Sequence, residues 1–265
     1  MEAAAGYTGA FIIGLILGLM GGGGSILTVP LLVYVLGINP VIATAYSLFI
    51  VGTTSAFGSV QNFINNNISF KKALLVALPS FIMVYITRKN IVPALPEHII
   101  ETGTVSITKD VFIMLLFAAI MLLASLSMLA QRTNDDESAP PKKVNYYYIV
   151  PCVILVGFLT GLVGSGGGFL IIPLLVFFGG LHMKKAVGTS LFIVAVNSIS
   201  GFAGDIQNIA VNWVFLLSFT AVSIFGIFAG IYCNKFINGA QLKKAFGYFV
   251  LLMAIFILSK EVIGF

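Results

Sequence analysis

Two runs of small residues hold the chemistry this chain offers. Gly21, Gly22, Gly23, Gly24 and Ser25 recur 143 residues later as Gly164, Ser165, Gly166, Gly167 and Gly168, each run uncharged and set between long apolar stretches. Consecutive glycines do not remain a stable helix, since each costs roughly 1 kcal/mol against Ala in a helix interior. What they leave is bare backbone. N–H groups there converge without side chains in the way, beside the positive end of a restarting helix, an arrangement that suits an anion accepting several hydrogen bonds. The competing reading is a plain tight turn between two packed arms.

Hydroxyl and amide side chains stand near both runs. Ser47, Thr54, Ser55, Gly58, Gln61 and Asn62 recur at helical spacing, as do Ser190, Asn197, Ser198, Gly201 and Asp205 farther on. In a chain this apolar, such faces are expected to turn inward, toward a partner helix or a water-filled path, with interhelical hydrogen bonding as the alternative. Ser47, Thr189 and Ser190 lie about one turn into their helices, within reach of a ligand held at the glycines. Asp205 is the only carboxylate close to a crossing and aligns with Asn62 of the first half. Its position near a segment end favours a solvated helix terminus; proton coupling is the alternative. His98 and His182 read as loop residues without a role, and Pro93 to Thr108 as an exterior loop. Pro30 and Pro173 read as first-turn prolines of resumed helices.

The elements that must position these residues are apolar helices. Of 265 residues, 59% are hydrophobic and 9% charged, and mean hydropathy is +1.07. Soluble domains carry about 25% charged residues, so this composition belongs to a multi-pass membrane protein. The first apolar run has no basic leader or small-residue cleavage site, so it is expected to be retained. The net charge of +5 resides in short loops, where it reports orientation in the membrane and not nucleic-acid binding. Cys152 and Cys233 read as small buried hydrophobes. Zincin, hydrolase-elbow and dinucleotide-binding motifs are all missing, which argues against an enzyme, and no cofactor or metal is expected.

The two halves are repeats. At the constant offset of 143, Gly14, Gly18, Pro30, Leu31, Leu32 and Val33 match Gly157, Gly161, Pro173, Leu174, Leu175 and Val176, and Ser47 to Val51 match Ser190 to Val194. A charged, Pro-containing linker at 132–145 separates a first repeat (1–131) from a second (146–265). Segments 7–37 and 146–180 are each too long for one untilted crossing and are broken in the middle. They are either re-entrant hairpins, with arms of about 15 and about 12 residues reaching roughly the midplane, or unwound full crossings. With hairpins, ten Lys and Arg collect on one face against four (Arg88, Lys89, Lys109 and Lys260) on the other; with full crossings the split is six against eight. The bias favours hairpins with positive loops inside. The expected fold is therefore all-α: two inverted repeats, each a Gly-broken re-entrant segment plus three transmembrane helices, with matching breaks marking a transporter's substrate site.

The paired glycine turns, the Leu27-Thr28-Val29-Pro30-Leu31-Leu32-Val33 run and its partner before and after Pro173, and the Ser-Leu-Phe-Ile-Val segments resemble the TauE/SafE family over nearly the whole chain. The resemblance implies an inner-membrane transporter, often an exporter, of sulfite, organosulfonates or related sulfur-containing anions. Such anions offer oxygens and no donors when fully ionised, matching a site of N–H and O–H groups at Gly21 to Ser25, Ser47, Gly164 to Gly168, Thr189, Ser190 and Asn197. Expected partners are a small anionic substrate and the lipid bilayer, with a homodimer as the assembly to test and no nucleic acid. An interior-negative potential drives each negative charge outward by about 2.3 kcal/mol per 100 mV, so export needs no coupling ion, whereas import would call on Asp205. The rivals are a passive anion channel, a cation- or proton-coupled carrier of another solute, and a membrane scaffold.

Overall fold

The computed structural model describes residues 2–102, 105–130 and 146–263. The linker expected at 132–145, with Arg132, Lys142 and Lys143, lies outside the described residues.

The chain starts as helix α1 (Glu2–Met20), which ends at the first glycine run. Gly21 takes a left-handed φ of +65° and the backbone resumes as a 3-10 turn (Gly21–Leu27), the short helix α2 (Thr28–Pro30) and a π-helical stretch (Leu31–Val35). The contacts show a hairpin. A Cβ on Gly9 would strike the Leu31 side chain, and one on Gly6 would lie 2.9 Å from Leu36 Cδ2. A straight helix would hold residues 9 and 31 about 33 Å apart. The two arms are unequal, since α1 has 19 residues before the turn.

Helices α3 (Pro40–Ile64) and α4 (Phe70–Ile86) follow, the latter continued by a π-helical stretch (Thr87–Ile91) and α5 (Val92–Ala94). Asn39 caps α3 by accepting from Val41 N–H at 2.9 Å, with Pro40 at the first helical position. Where an exterior loop was expected, β1 (His98–Thr102) pairs antiparallel with β2 (Val105–Thr108). Ile99, Ile100, Thr102, Val105, Ile107 and Thr108 are β-branched and suit a ribbon; among the described residues, the regular elements are otherwise helical.

Beyond it come α6 (Lys109–Ala130), α7 (Tyr146–Val163), α8 (Gly168–Phe177), α9 (Met183–Asp205), α10 (Trp213–Asn234) and α11 (Gly239–Ile263). Between α7 and α8 the second glycine run turns through three left-handed residues, Gly164, Gly166 and Gly167 (φ +71°, +70° and +68°). Pro173 lies well inside α8 and not in its first turn, a position tolerated in apolar helices because neighbours re-satisfy the freed backbone. Cys233 is on the outer surface and not buried.

Six stretches among the described residues are long and apolar enough to cross a membrane, and one of them, Gly6–Val35, is the folded-back hairpin. Large apolar side chains such as Leu123, Val214, Phe225 and Leu252 cover the outside, as expected of a multi-pass membrane protein.

The equivalent helices α3 and α9 pack against each other and run in opposite directions: Leu48 rests on Gly201, Gly52 on Ser198, Gly58 on Leu191 and Asn62 on Gly188. The first helix of each half crosses to the other half. α1 runs beside α10, where a Cβ on Gly14 or Gly18 would collide with the backbone of Ser223 or Ile227; α7 runs beside α4, with Gly157 on Ser80 and Gly161 on Thr87. Under the offset of 143, Leu48 on Gly201 maps onto Leu191 on Gly58, and Gly14 on Ser223 maps onto Gly157 on Ser80. The i, i+4 glycines therefore do what small residues do in apolar bundles, letting backbones approach closely. A second packing unit joins α6 and α11 to the return arms of both hairpins, through Phe117, Phe246, Val250, Ile26, Val29, Phe169 and Ile172.

Candidate functional site

The two glycine runs meet. A Cβ on Gly22 would lie 2.7 Å from Gly168 Cα, and one on Gly168 would overlap the Gly22 carbonyl. Only residues without side chains allow this approach, which explains the glycine at each position without any appeal to φ. The first turn also reaches α9: Gly22 N–H donates to Ser190 Oγ at 3.2 Å, and Ser190 Oγ–H donates to Val187 C=O at 2.8 Å. Ser25 Oγ–H closes the turn on Gly22 C=O at 2.7 Å. A Cβ on Gly21 would stand 2.7 Å from both Ser190 Oγ and Val187 O. The second turn reaches α3 and α9 in the corresponding way, Gly164 against Thr44 and Gly166 against the Ser198 hydroxyl.

The turns overlap and do not merely touch end to end. The first contacts the N-terminal third of α9 and the second the N-terminal third of α3, and these helices are antiparallel. Each turn therefore passes the other, deeper than arms that stop at a midplane.

The remaining glycines are packed. Gly23 faces the Phe246 ring, Gly24 backs onto Leu17 within its own hairpin, and Gly167 faces the Thr160 side chain. Residues 21–26 and 164–169 are all buried.

Of the side chains singled out in sequence, Ser165 lies in the second turn, Ser190 bonds the first, and Ser47 is on α3, all fully buried. The Ser47, Ser165 and Ser198 hydroxyls have no hydrogen-bond partner among the described residues. Thr189 faces elsewhere, its hydroxyl accepting from Ser69 N–H at 3.0 Å and so holding the start of α4. Asn197 lies between α9 and α4, where its Oδ1 accepts from Ser80 Oγ–H at 3.0 Å while its Nδ2 is unpartnered among the described residues. The two polar helix faces do turn inward, against each other.

Asp205 is not a solvated helix terminus. It is 5% exposed, and its Oδ2 accepts from Arg88 Nη1 at 3.0 Å. Arg88, counted above as a loop cation, is fully buried in the π-helical stretch Thr87–Ile91. Its Nη1 also donates to Thr44 Oγ1 at 3.1 Å, whereas Nε and Nη2 have no partner among the described residues. Nη2 occupies the space that a Cβ on Gly164 would need, so the guanidinium abuts the second glycine turn. Gly204 lets the two helices close in, a Cβ there lying 3.1 Å from Arg88 Cβ. The sequence carried one signal for this: Ile91, Val92 and Ala94 prolong the apolar helix past Arg88, leaving that residue too deep to be a rim charge. Its neighbour Lys89 is exposed, with Nζ 5.5 Å from the Tyr85 ring centroid.

Comparison with known proteins bears on the whole chain. The family model described as sulfite exporter TauE/SafE matches residues 7–257. A probable membrane transporter protein of Xylella fastidiosa is 27% identical over 255 residues, covering 94% of this chain and 92% of that protein. The probable membrane transporter protein YdhB of Bacillus subtilis is 27% identical over 240 residues, covering 89% and 91%. One from Methanocaldococcus jannaschii is 39% identical over 117 residues, 40% of this chain and 44% of its own length. No solved structure matches significantly.

Proposed function

The chain belongs to the sulfite exporter TauE/SafE family of membrane transporters, and from that premise we propose that it carries a small sulfur-containing anion, sulfite or an organosulfonate, out across the inner membrane. The observation that carries this reading is the junction of Gly22 and Gly168, where bare backbone from the two halves comes together between helices whose hydroxyls are unpartnered. Buried hydroxyls without partners are costly unless a ligand uses them.

The two halves, 1–131 and 146–265, act as inverted repeats joined by a cytoplasmic linker. The opposed directions of α3 and α9 support that arrangement, as does the charge bias: with Arg88 removed from the loops, ten cations stand against Lys89, Lys109 and Lys260. Both turns are buried in this arrangement, which corresponds to an occluded carrier. The unit of α6, α11 and the return arms rocks against the α3–α9 bundle to uncover the junction on one side and then the other.

The test is flux from purified protein in liposomes with sulfite, sulfoacetate, taurine, sulfate and thiosulfate. A carrier gives saturable flux for one or more sulfur-containing anions. Flux far above carrier turnover without saturation establishes a passive channel instead, and dependence on Na⁺ with a neutral solute establishes another substrate class.

A further inference from the structure

A guanidinium buried in an apolar bundle with only one of its three nitrogens in use is an unfinished site. Arg88 gives Nη1 to Asp205 and Thr44 and sets Nη2 against the Gly164 turn, and neither Nε nor Nη2 has a partner among the described residues. Those two nitrogens form the edge of the guanidinium fork that binds two oxygens of one anion in parallel. Three features equip this place for an oxyanion: the fork, the left-handed backbone of Gly164 beside it, and the unpartnered Ser165 hydroxyl one residue on.

Charge sets the condition for binding. Arg88 and Asp205 together are neutral, so an anion arriving at the fork also meets the carboxylate 3.0 Å from Nη1. Two negative groups around one guanidinium in a low-dielectric interior repel, and a proton on the carboxylate removes the repulsion. Among the described residues, the charged groups facing Asp205 are few: Arg88 from the π-helical stretch after α4, and the field of Lys109 at the start of α6, whose ammonium is bonded to Val92 C=O. Lys89 turns away toward Tyr85.

We propose that Arg88 takes the charge of the transported oxyanion, that Asp205 occupies its guanidinium in the unloaded carrier, and that a proton taken up by Asp205 releases it, so that anion and proton travel together. This rests on the carrier reading above and deepens it. The step is a proton transfer alone: water on the open side gives H⁺ to the Asp205 carboxylate, the guanidinium keeps its own protons, and both ligand and proton leave on the other side. A singly charged anion then crosses with no net charge. Its flux follows its own gradient and the pH difference and is indifferent to membrane potential, so export by this route draws on the outward anion gradient and not on the interior-negative potential.

The experiment measures equilibrium binding of methanesulfonate, sulfate and thiosulfate to the full-length purified protein between pH 5.5 and 8.5, where none of the three changes protonation. The variants are Asp205→Asn and Arg88→Gln/Asp205→Asn; the double variant removes both charges and so avoids stranding one of them in the interior. The wild type is expected to bind at least one anion about tenfold more tightly per unit fall in pH, the slope for one linked proton. Asp205→Asn binds tightly at every pH, and the double variant, with its fold confirmed by an unchanged elution profile, loses at least tenfold. Binding by the double variant as tight as that of the wild type overturns the site while leaving a carrier that uses the glycine turns. A pH slope that survives in Asp205→Asn overturns the proton's part. Absence of binding by the wild type to all three anions overturns this proposal and the oxyanion reading together.

Discussion

Arg88 Nη1 lies 3.0 Å from Asp205 Oδ2, joining the π-helical stretch after α4 in one half of the chain to the end of α9 in the other. The pair closes the same bundle whose middle is formed by Gly22 against Gly168. Its Arg88 also brings to the region a guanidinium donor, which the glycine runs lack.

Breaking the pair from one side is costly. Arg88→Gln leaves an uncompensated buried carboxylate and is expected to destabilise by about 3–5 kcal/mol, while the double variant with Asp205→Asn recovers most of that loss. Thermal unfolding in detergent measures both. Additive losses would mean that the two side chains do not interact.

The unpartnered hydroxyls separate binding from folding. Replacing Ser47, Ser165 and Ser198 together by Ala removes no hydrogen bond among the described residues, so stability is expected to stay within about 1 kcal/mol of wild type. The KM for the transported anion rises at least tenfold. Unchanged transport kinetics in the triple variant would show these hydroxyls to be packing only.

Ser190 behaves differently, because it has a partner. Ser190→Ala strands Gly22 N–H in the interior, at a cost of about 1–3 kcal/mol, and loosens the first turn from α9. Amide exchange at Gly22 should accelerate in this variant and not in Ser47→Ala.

Two glycines give a graded comparison. Gly14→Ala would drive a Cβ into the Ser223 carbonyl and force α1 off α10, whereas Gly37→Ala meets nothing within 4 Å and bears only the strain of φ +64°. Gly37→Ala should cost about 1 kcal/mol and Gly14→Ala clearly more, read as the shift in unfolding midpoint. Equal effects would contradict the close α1–α10 packing.

The architecture was legible where it rests on repetition and small-residue spacing. An ungapped offset of 143 between two glycine runs predicts two equivalent breaks, and both are present, with left-handed glycines at Gly21 and Gly164. The inward faces of α3 and α9 followed from polar residues at helical spacing in a chain with no other place for them. Three things were not legible. The β hairpin at His98–Thr108 was obscured by Glu97 and Glu101, which suggest hydration more than pairing. Thr189 and Ser190 are adjacent in sequence but point about 100° apart on a helix, and nothing local told which one meets Gly22. Arg88 looks like a loop cation beside Lys89, because burial of a charge is decided by its partner, and Asp205 is 117 residues away.

The central claim is that a sulfur-containing anion is held where the two glycine turns meet and is exposed to one side at a time. Counterflow tests it most directly. Liposomes containing the protein are preloaded with unlabelled sulfite, sulfoacetate or thiosulfate and diluted into the same anion carrying a trace label. The account predicts transient accumulation of label above its equilibrium level for at least one of these anions, abolished in Gly22→Leu and Gly168→Leu. Monotonic equilibration of label for every anion, or counterflow undiminished in both leucine variants, would contradict it.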